Sequence, residues 1–341
     1  MMAVAAAAGV SQATVSLVLS GSKGARLTDD TRRRVLQAAQ ELGYKFVRRG
    51  SRPDSGGPGA ILFIADELIT DPWMSLAFEG ARDKALEVGI NMLLGVSHAD
   101  ADVETNILGS FDKVPILGVV YGTILARQVQ VPPALTKRRL VLLNCYDAER
   151  AHHSVLPGDV LGGRAATEHL LKAGRKRIGF INGQHGVDAA RDRLKGYKQA
   201  LASNDIPFDA ALVRPGNWEP SAGYDMTLEL MALPHPPDAI FCANDMMALG
   251  CYDALRELGL VVPHDVAVIG FDDREIAQYM HPPLSTLVLP HYEMGRVAVE
   301  LILDDAGGLH SSPTTIKVEC KLLERKSTRD GYAVVPKAAT G

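Results

Sequence analysis

The chain has 341 residues, 47% hydrophobic and 22% charged, an ordinary globular composition, and at about one domain per 100 to 200 residues it has room for two or three units. No apolar run approaches the roughly 18 to 20 residues needed to cross a bilayer, so no membrane span is expected. The net charge of −4 conceals an asymmetry: residues 1–52 hold nine Lys or Arg against three Asp or Glu, so a basic head precedes an acidic body. That distribution is expected where only the head meets a polyanion.

Met1-Met2-Ala3-Val4 leads into alanines without a basic n-region, so no cleaved signal peptide is expected and the protein is assigned to the cytoplasm. Val4 to Ala8 can form a short helix, Gly9 a turn, and Ser11 the cap of a second helix running to Leu19. Val15 and Leu19 share one face of it. Gln12, Ala13, Ser16 and Leu17 lie toward the other, near the N-terminus, where a recognition helix meets base edges in the major groove. A third helix is expected from Thr28-Asp29-Asp30, whose acidic first turn suits the macrodipole, with Val35, Ala38, Ala39 and Leu42 as its buried stripe and Gly43 as its end. Arg49 to Gly59 is rich in Gly, Pro and Ser and lacks apolar periodicity, which marks a linker.

Beyond the linker, strand-like runs at 60–65, 90–96, 116–120, 140–143, 178–181, 239–242 and 266–269 alternate with helical patterns near 75–88, 162–173, 189–203, 246–258 and 292–303. This alternation predicts parallel sheets covered on both faces by helices. Polar residues fall at the strand ends: Asp66, Asn144, Asn182 with Gly183 and Gln184, Asn244-Asp245, and Asp272-Asp273. In doubly wound folds a ligand sits at the carboxyl ends of the strands, and amides with carboxylates suit a polyhydroxylated one. Asx residues also begin loops and cap helices, so it is the five positions together that indicate a cleft.

Cys145, Cys242, Cys251 and Cys320 lack paired spacing and read as buried thiols. His152-His153 reads as a solvated loop rather than a metal site. The chain has no P-loop, no G-x-G-x-x-G after a strand, no G-x-S-x-G and no H-E-x-x-H. Neither catalysis, nor a cofactor, nor a metal is expected.

The strings AGVSQATVSLVLSG and LTDDTRRRVLQAAQELGY closely resemble the DNA-binding head of the lactose-repressor (LacI) family. HLLKAGRKRIGFING, AARDRLKGYKQAL, PDAIFCANDMMALGCYDALRELGLVVPHDVAVIGFDD, PPLSTL and LLERKST resemble that family's body motifs in the same order, so the likeness covers nearly the whole chain. It implies a small all-α helix-turn-helix head and a two-lobed α/β body of the periplasmic-binding-protein type, with doubly wound parallel sheets and three crossovers. The expected boundaries are 1–48 for the head, 49–59 for the linker or hinge, 60–157 with 288–317 for one lobe, and 158–287 with 318–332 for the other. The implied function is a transcription regulator, a repressor, whose affinity for a palindromic double-stranded operator is set by a sugar or sugar-derived effector. A homodimer is expected, since Asp330 to Gly341 shows no heptad pattern for a tetramerising coiled coil.

Residue by residue, the resemblance places Gln12 and Ala13 at base-reading positions and suits Ser11, Thr14 and Ser16 to phosphate contact. Leu17 stands where the family commonly has arginine, so it either packs or touches a thymine methyl. In the body, Arg191 matches the effector-contacting arginine, Asp272 the ligand carboxylate, Asn244 the ligand amide, and Trp73 and Trp218 the aromatic walls, with Asp66 a further candidate. Two features depart from the family pattern. Ala3 replaces a usual acidic residue and few residues precede the first helix, which implies a start upstream of Met1 and weaker DNA binding for the chain as it begins here. Pro53 stands where the hinge helix carries its wedging leucine, so Arg48, Arg49 and Arg52 are expected to follow the minor groove as a basic arm.

Overall fold

The structure is a computed structural model that describes residues 7–8, 10, 18, 29–41, 59–69, 72–111, 113–306 and 312–329. Of the head, helix α1 spans Asp29–Glu41 and buries Val35, Ala38 and Ala39, three of the four residues of the stripe read from the sequence. Ala8 and Val18 are also buried, and the Arg34 guanidinium donates to the Ala8 carbonyl at 3.3 Å. Leu42, Gly43, Pro53 and the proposed DNA-contacting residues Ser11, Gln12, Ala13, Thr14, Ser16, Leu17, Arg48 and Arg49 lie outside the described residues.

The body begins with β1 (Ala60–Ala65), α2 (Trp73–Leu86), β2 (Asn91–Val96), α3 (Ala101–Ser110), β3 (Ile116–Val129), β4 (Leu140–Asp147) and β5 (His153–Pro157). It continues through α4 (Asp159–Lys172), β6 (Ile178–Ile181), α5 (Asp188–Ala202), β7 (Val213–Arg214), α6 (Pro220–Met231), β8 (Ala239–Cys242), α7 (Asp245–Glu257), β9 (Ala267–Ile269) and α8 (Ile276–Tyr279). The last described elements are β10 (Thr286–Leu287), α9 (His291–Ala306), β11 (Thr315–Val318) and β12 (Leu322–Leu323). One sheet has the order β11-β5-β4-β3-β1-β2 and a second β7-β6-β8-β9, every neighbouring pair in both being parallel. A short antiparallel pair joins β10 to β12. The chain passes between the two lobes three times, after β5, between β10 and α9, and between β11 and β12.

Alternation of side chains along β1 explains how the first lobe is layered. Ile61, Phe63 and Ala65 pack with Met74 and Ala77 of α2 and Met294 and Ala298 of α9, while Leu62 and Ile64 pack on the opposite face with Leu108 of α3 and Leu135. Every residue of the strand is buried, as a central parallel strand requires. In the second lobe, Phe180, Phe241 and Ile269 form the same kind of core beneath Leu170 of α4, Tyr197 of α5 and Leu255 of α7.

Three helix pairs are each closed by one glycine from either partner. A Cβ at Gly80 of α2 would lie 1.9 Å from the Tyr292 carbonyl oxygen of α9, and one at Gly295 of α9 1.9 Å from that of Ala77. Gly163 and Gly196 do the same for α4 against α5, and Gly223 and Gly250 for α6 against α7. Backbone therefore meets backbone, with no side chain between.

The structure departs from the sequence reading in several places. β3 runs on to Val129 and β4 to Asp147, so Asn144 lies inside its strand rather than beyond it; the polar residues Thr123, Arg127 and Asn144 interrupt the apolar runs, and pairing resumes past an irregularity between Gly122 and Arg127. Helices α3 and α6 were not expected. The α3 signal lay in its cap, since the Asp100 carboxylate accepts from the backbone of Asp102 at 2.9 Å and Val103 at 3.1 Å. His152 and His153 are not a solvated loop: His153 opens β5, buried, with Nε2 3.3 Å from Asp305, while His152 Nδ1 lies 3.3 Å from Asp147. All four cysteines are buried and free.

Gly250→Ala places a methyl group 1.8 Å from the Pro220 carbonyl oxygen, and forcing α6 from α7 is expected to cost about 1–3 kcal/mol. Gly109→Ala, on a helix face with nothing within 4 Å, is expected to gain up to about 1 kcal/mol. Urea unfolding of both variants tests the pair, and equal stabilities would remove the case for glycine-closed helix contacts.

Candidate ligand-binding site

The carboxyl ends of both parallel sheets face a cleft of about 540 Å3 between the lobes. Its size suits a small organic ligand. Arg193 is its electrostatic centre. It follows Ala190 by three residues and precedes Tyr197 by four, which puts it on the buried stripe of α5, where only 3% of it is exposed. Its Nε donates to Asp159 at 2.8 Å, its Nη1 to the Ala243 carbonyl oxygen, and Nη1 also lies 3.5 Å from Asp272. The guanidinium lies 3.6 Å over the Phe271 ring and 5.7 Å from that of Trp218. Burial opposes its charge, but Asp159 and then Asp272 outweigh that and hold its pKa above the ordinary value.

Asp245 lies behind this cluster. It is fully buried, accepts from the Thr286 hydroxyl at 2.6 Å and the Arg274 amide at 2.7 Å, and has its pKa pushed well up by burial and then by Asp272. Asn244 caps α7, accepting from the Met247 amide at 2.8 Å and donating to the Trp218 carbonyl at 2.9 Å, so both ends of its side-chain amide are held in place at the cleft wall. Asp272, three residues beyond β9, and Trp218, two residues before α6, both have positive φ, 113° and 72°.

Across the cleft the first lobe supplies Trp73 and His291, the first residues of α2 and α9, stacked at 5.6 Å with their planes 23° apart. The Arg274 guanidinium of the second lobe lies 5.6 Å from the Trp73 ring, a cation–π contact between lobes. His291 is fully buried, and burial, with the Arg193 charge adding to it, lowers its pKa to about 3. It is therefore neutral. Both of its ring nitrogens, Trp218 Nε1 and Asn144 Oδ1 are buried without a hydrogen-bond partner among the described residues. Buried polar atoms are nearly always paired, so four such atoms lining one cleft point to a ligand that pairs them.

Of the residues expected from sequence, Trp73, Trp218, Asn244 and Asp272 line this cleft. Asp66 does not: it is buried behind the wall, accepting from the Ile124 amide and Arg127 at 2.9 Å each, and its neighbour Glu67 faces the cleft instead. Arg191 is displaced too. Two residues from Arg193, it lies on the opposite side of α5, exposed and paired with Asp188 at 2.5 Å and Asp192 at 2.9 Å. The helical period of the small and apolar residues Ala190, Tyr197 and Ala200 would have selected Arg193 from the AARDRLKGY string. His291, after Pro290 at a helix start, carried no comparable signal.

Removing Arg193 leaves Asp159 and Asp272 buried without their counter-charge, so Arg193→Ala is expected to lose about 3–5 kcal/mol of stability. Arg191→Ala is expected to stay within about 0.5 kcal/mol of the parent. Urea unfolding of the two variants decides which arginine is structural.

His291 makes folding pH-dependent. The unfolded chain protonates this imidazole near 6.5 and the folded chain only near 3, so the folded state binds fewer protons in that window and stability falls as pH drops through it. The slope is about 1.4 kcal/mol per pH unit. His291→Phe keeps an aromatic ring against Trp73 and is expected to lose about 2 kcal/mol less than the parent between pH 7 and pH 5. Identical pH profiles would show that His291 is not buried neutral.

Comparison with known proteins places both parts of the chain. Residues 1–45 match the model for bacterial regulatory proteins of the lacI family, and residues 167–328 the periplasmic binding protein-like domain. The transcriptional repressor CytR of Escherichia coli (strain K12) is 33% identical over 336 residues, 96% of either chain. The structure of the transcriptional regulator CelR in complex with cellobiose superposes with a TM-score of 0.64 at 27% identity, covering 95% of this chain and 98% of that one. A sugar-binding transcriptional regulator of the lacI family from Escherichia coli, complexed with phosphate, gives 0.65 at 28% identity over 79% of this chain and 98% of its own. By its head, its body and its likeness to CytR along almost its whole length, the chain belongs to the lacI family of bacterial regulatory proteins.

Proposed function

We propose that this protein is a DNA-binding repressor whose operator affinity is controlled by a sugar or sugar-derived effector held in the interlobe cleft. The observation that carries the reading is the composition of the cleft. A buried, charged Arg193 lies among carboxylates, Trp73 and Trp218 offer flat apolar faces, and His291, Asn144 and Trp218 present buried polar atoms that lack partners among the described residues. A sugar ring has an apolar face for an aromatic wall and hydroxyls that both donate and accept. The cellobiose bound to CelR and the naming of the Escherichia coli regulator as sugar-binding agree with this class.

In this reading Arg193, Asn244 and Asp272 hold effector hydroxyls from the second lobe, while Trp73, His291 and Asn144 close on the effector from the first. The head, residues 1–48, reads a palindromic operator through Gln12 and Ala13, with Ser11, Thr14, Ser16, Leu17, Arg48 and Arg49 at the phosphates and groove. It is joined by residues 49–59 to the lobes 60–157 with 288–317 and 158–287 with 318–332. Two chains act as a homodimer, since a palindrome presents two equivalent half-sites. The protein acts in the cytoplasm as a regulator rather than as an enzyme. Among the described residues no helix is long and apolar enough to cross a membrane.

The test is a thermal-shift panel of sugars, polyols, sugar acids and nucleobases on the full chain, followed by operator binding with and without the ligand found. An effector at 100 times its Kd is expected to stabilise by about 2.7 kcal/mol. Release of operator DNA by a stabilising sugar supports the reading. Stabilisation by a nucleobase alone would overturn the effector class.

A further inference from the structure

A smaller recess of about 160 Å3 adjoins the cleft and shares Ala126, Pro157 and Asp159 with it. Tyr146, Arg150 and Lys317 reach it from the first lobe, and Asp188, Arg191 and Asp192 from the start of α5. Its carboxylates are already engaged. Asp188 accepts from the Tyr146 hydroxyl at 2.7 Å and from Arg191 at 2.5 Å, Asp192 accepts from Arg191 at 2.9 Å, and Asp159 faces Arg193 at 2.8 Å.

Two cations are left over. Arg150 lies 3.8 Å over the Tyr146 ring and has no carboxylate partner among the described residues, and neither has Lys317, exposed on β11. The N-terminal end of the 15-residue helix α5 adds to this, since Val187 and Ala189 line the cleft and Asp188 the recess. Backbone amides and the positive end of the helix dipole favour an anion there.

We propose that the effector is an anionic sugar derivative, a sugar phosphate or sugar acid, whose ring occupies the cleft and whose anionic group enters this recess between Arg150 and Lys317. The proposal rests on the reading of the cleft as a sugar site. Arg191 supports the group from the second lobe while Arg150 and Lys317 hold it from the first, so the anion ties the lobes together at a point that a neutral sugar does not reach. Charge-assisted hydrogen bonds from a guanidinium or ammonium to phosphate or carboxylate are roughly twice as strong as neutral ones, which makes the anion a strong determinant of specificity.

The experiment is isothermal titration of the full chain with matched sets: glucose, glucose 6-phosphate and glucuronate; galactose, galactose 6-phosphate and galacturonate; ribose and ribose 5-phosphate. At least one anionic member is expected to bind tenfold or more tightly than its neutral parent, and the phosphate and carboxylate arms identify the anion. Arg150→Ala with Lys317→Ala is expected to erase that preference while leaving the affinity for the neutral parent and the thermal midpoint unchanged. Lys317→Gln alone, on an exposed strand face, is expected to lose part of it. Neutral sugars binding as tightly as their derivatives, or a preference that survives the double substitution, would overturn the proposal and leave the sugar reading standing. If no member of any set binds, both fall.

Discussion

The guanidinium of Arg193 is the charge on which the body's organisation turns. Removing such an ion from water costs several kcal/mol, and the cost is met only because Asp159, Asp272, the Ala243 carbonyl and the face of Phe271 all converge on it. Those partners come from four places: the first turn of α4 just after a crossover, the end of β8, the end of β9 and the turn beyond it. One side chain from α5 thus fixes how the strand ends of the second lobe and a crossover from the first lie relative to each other. The same requirement makes the cleft polar at its base, because the buried guanidinium and its two carboxyl partners all line it.

Around that centre the lobes are assembled with little freedom. Each of the three helix pairs brings backbone to backbone through glycines on both partners, and such contacts have no side-chain rotamers through which to yield. If operator affinity follows cleft occupancy, the relative movement of the lobes is taken up at the three crossovers rather than inside them. Trp73 and His291 begin α2 and α9, and these two helices are one of the glycine-closed pairs, so a ligand that touches either ring acts on that packed unit.

The two-lobed parallel architecture was legible because buried strands such as 60–65, 178–181 and 239–242 are uninterrupted apolar runs, and these three match the structure residue for residue. Legibility failed where polar residues serve a local purpose inside an element. Asn144 sits within β4 because its amide donates to the Thr123 and Ile124 carbonyls of β3, at 2.9 and 3.0 Å. That pairing is long-range and leaves no periodicity to read. The cleft itself was half legible. Asn244, Asp272 and the two tryptophans fall at strand and helix ends that the alternation marks. Choosing between Arg191 and Arg193 needed the helical phase of α5. His291 needed three-dimensional packing, since nothing in a lone histidine after proline says that it will be buried against Trp73.

The same geometry bounds the control the cleft can exert. A ligand shifts an equilibrium between two arrangements only by the difference in its affinity for them, so contacts with a single lobe contribute nothing if that lobe is rigid. A hundredfold change in operator affinity requires about 2.7 kcal/mol of such difference. A net hydrogen bond contributes about 0.5–1.5 kcal/mol, so about two to six bonds made only when both lobes close on the ligand are enough. The atoms without partners among the described residues are divided accordingly, with the His291 nitrogens and Asn144 Oδ1 on the first lobe and Trp218 Nε1 on the second. An effector short enough to reach only one side would bind without signalling, and this sets a minimum span for the molecule as well as a chemistry.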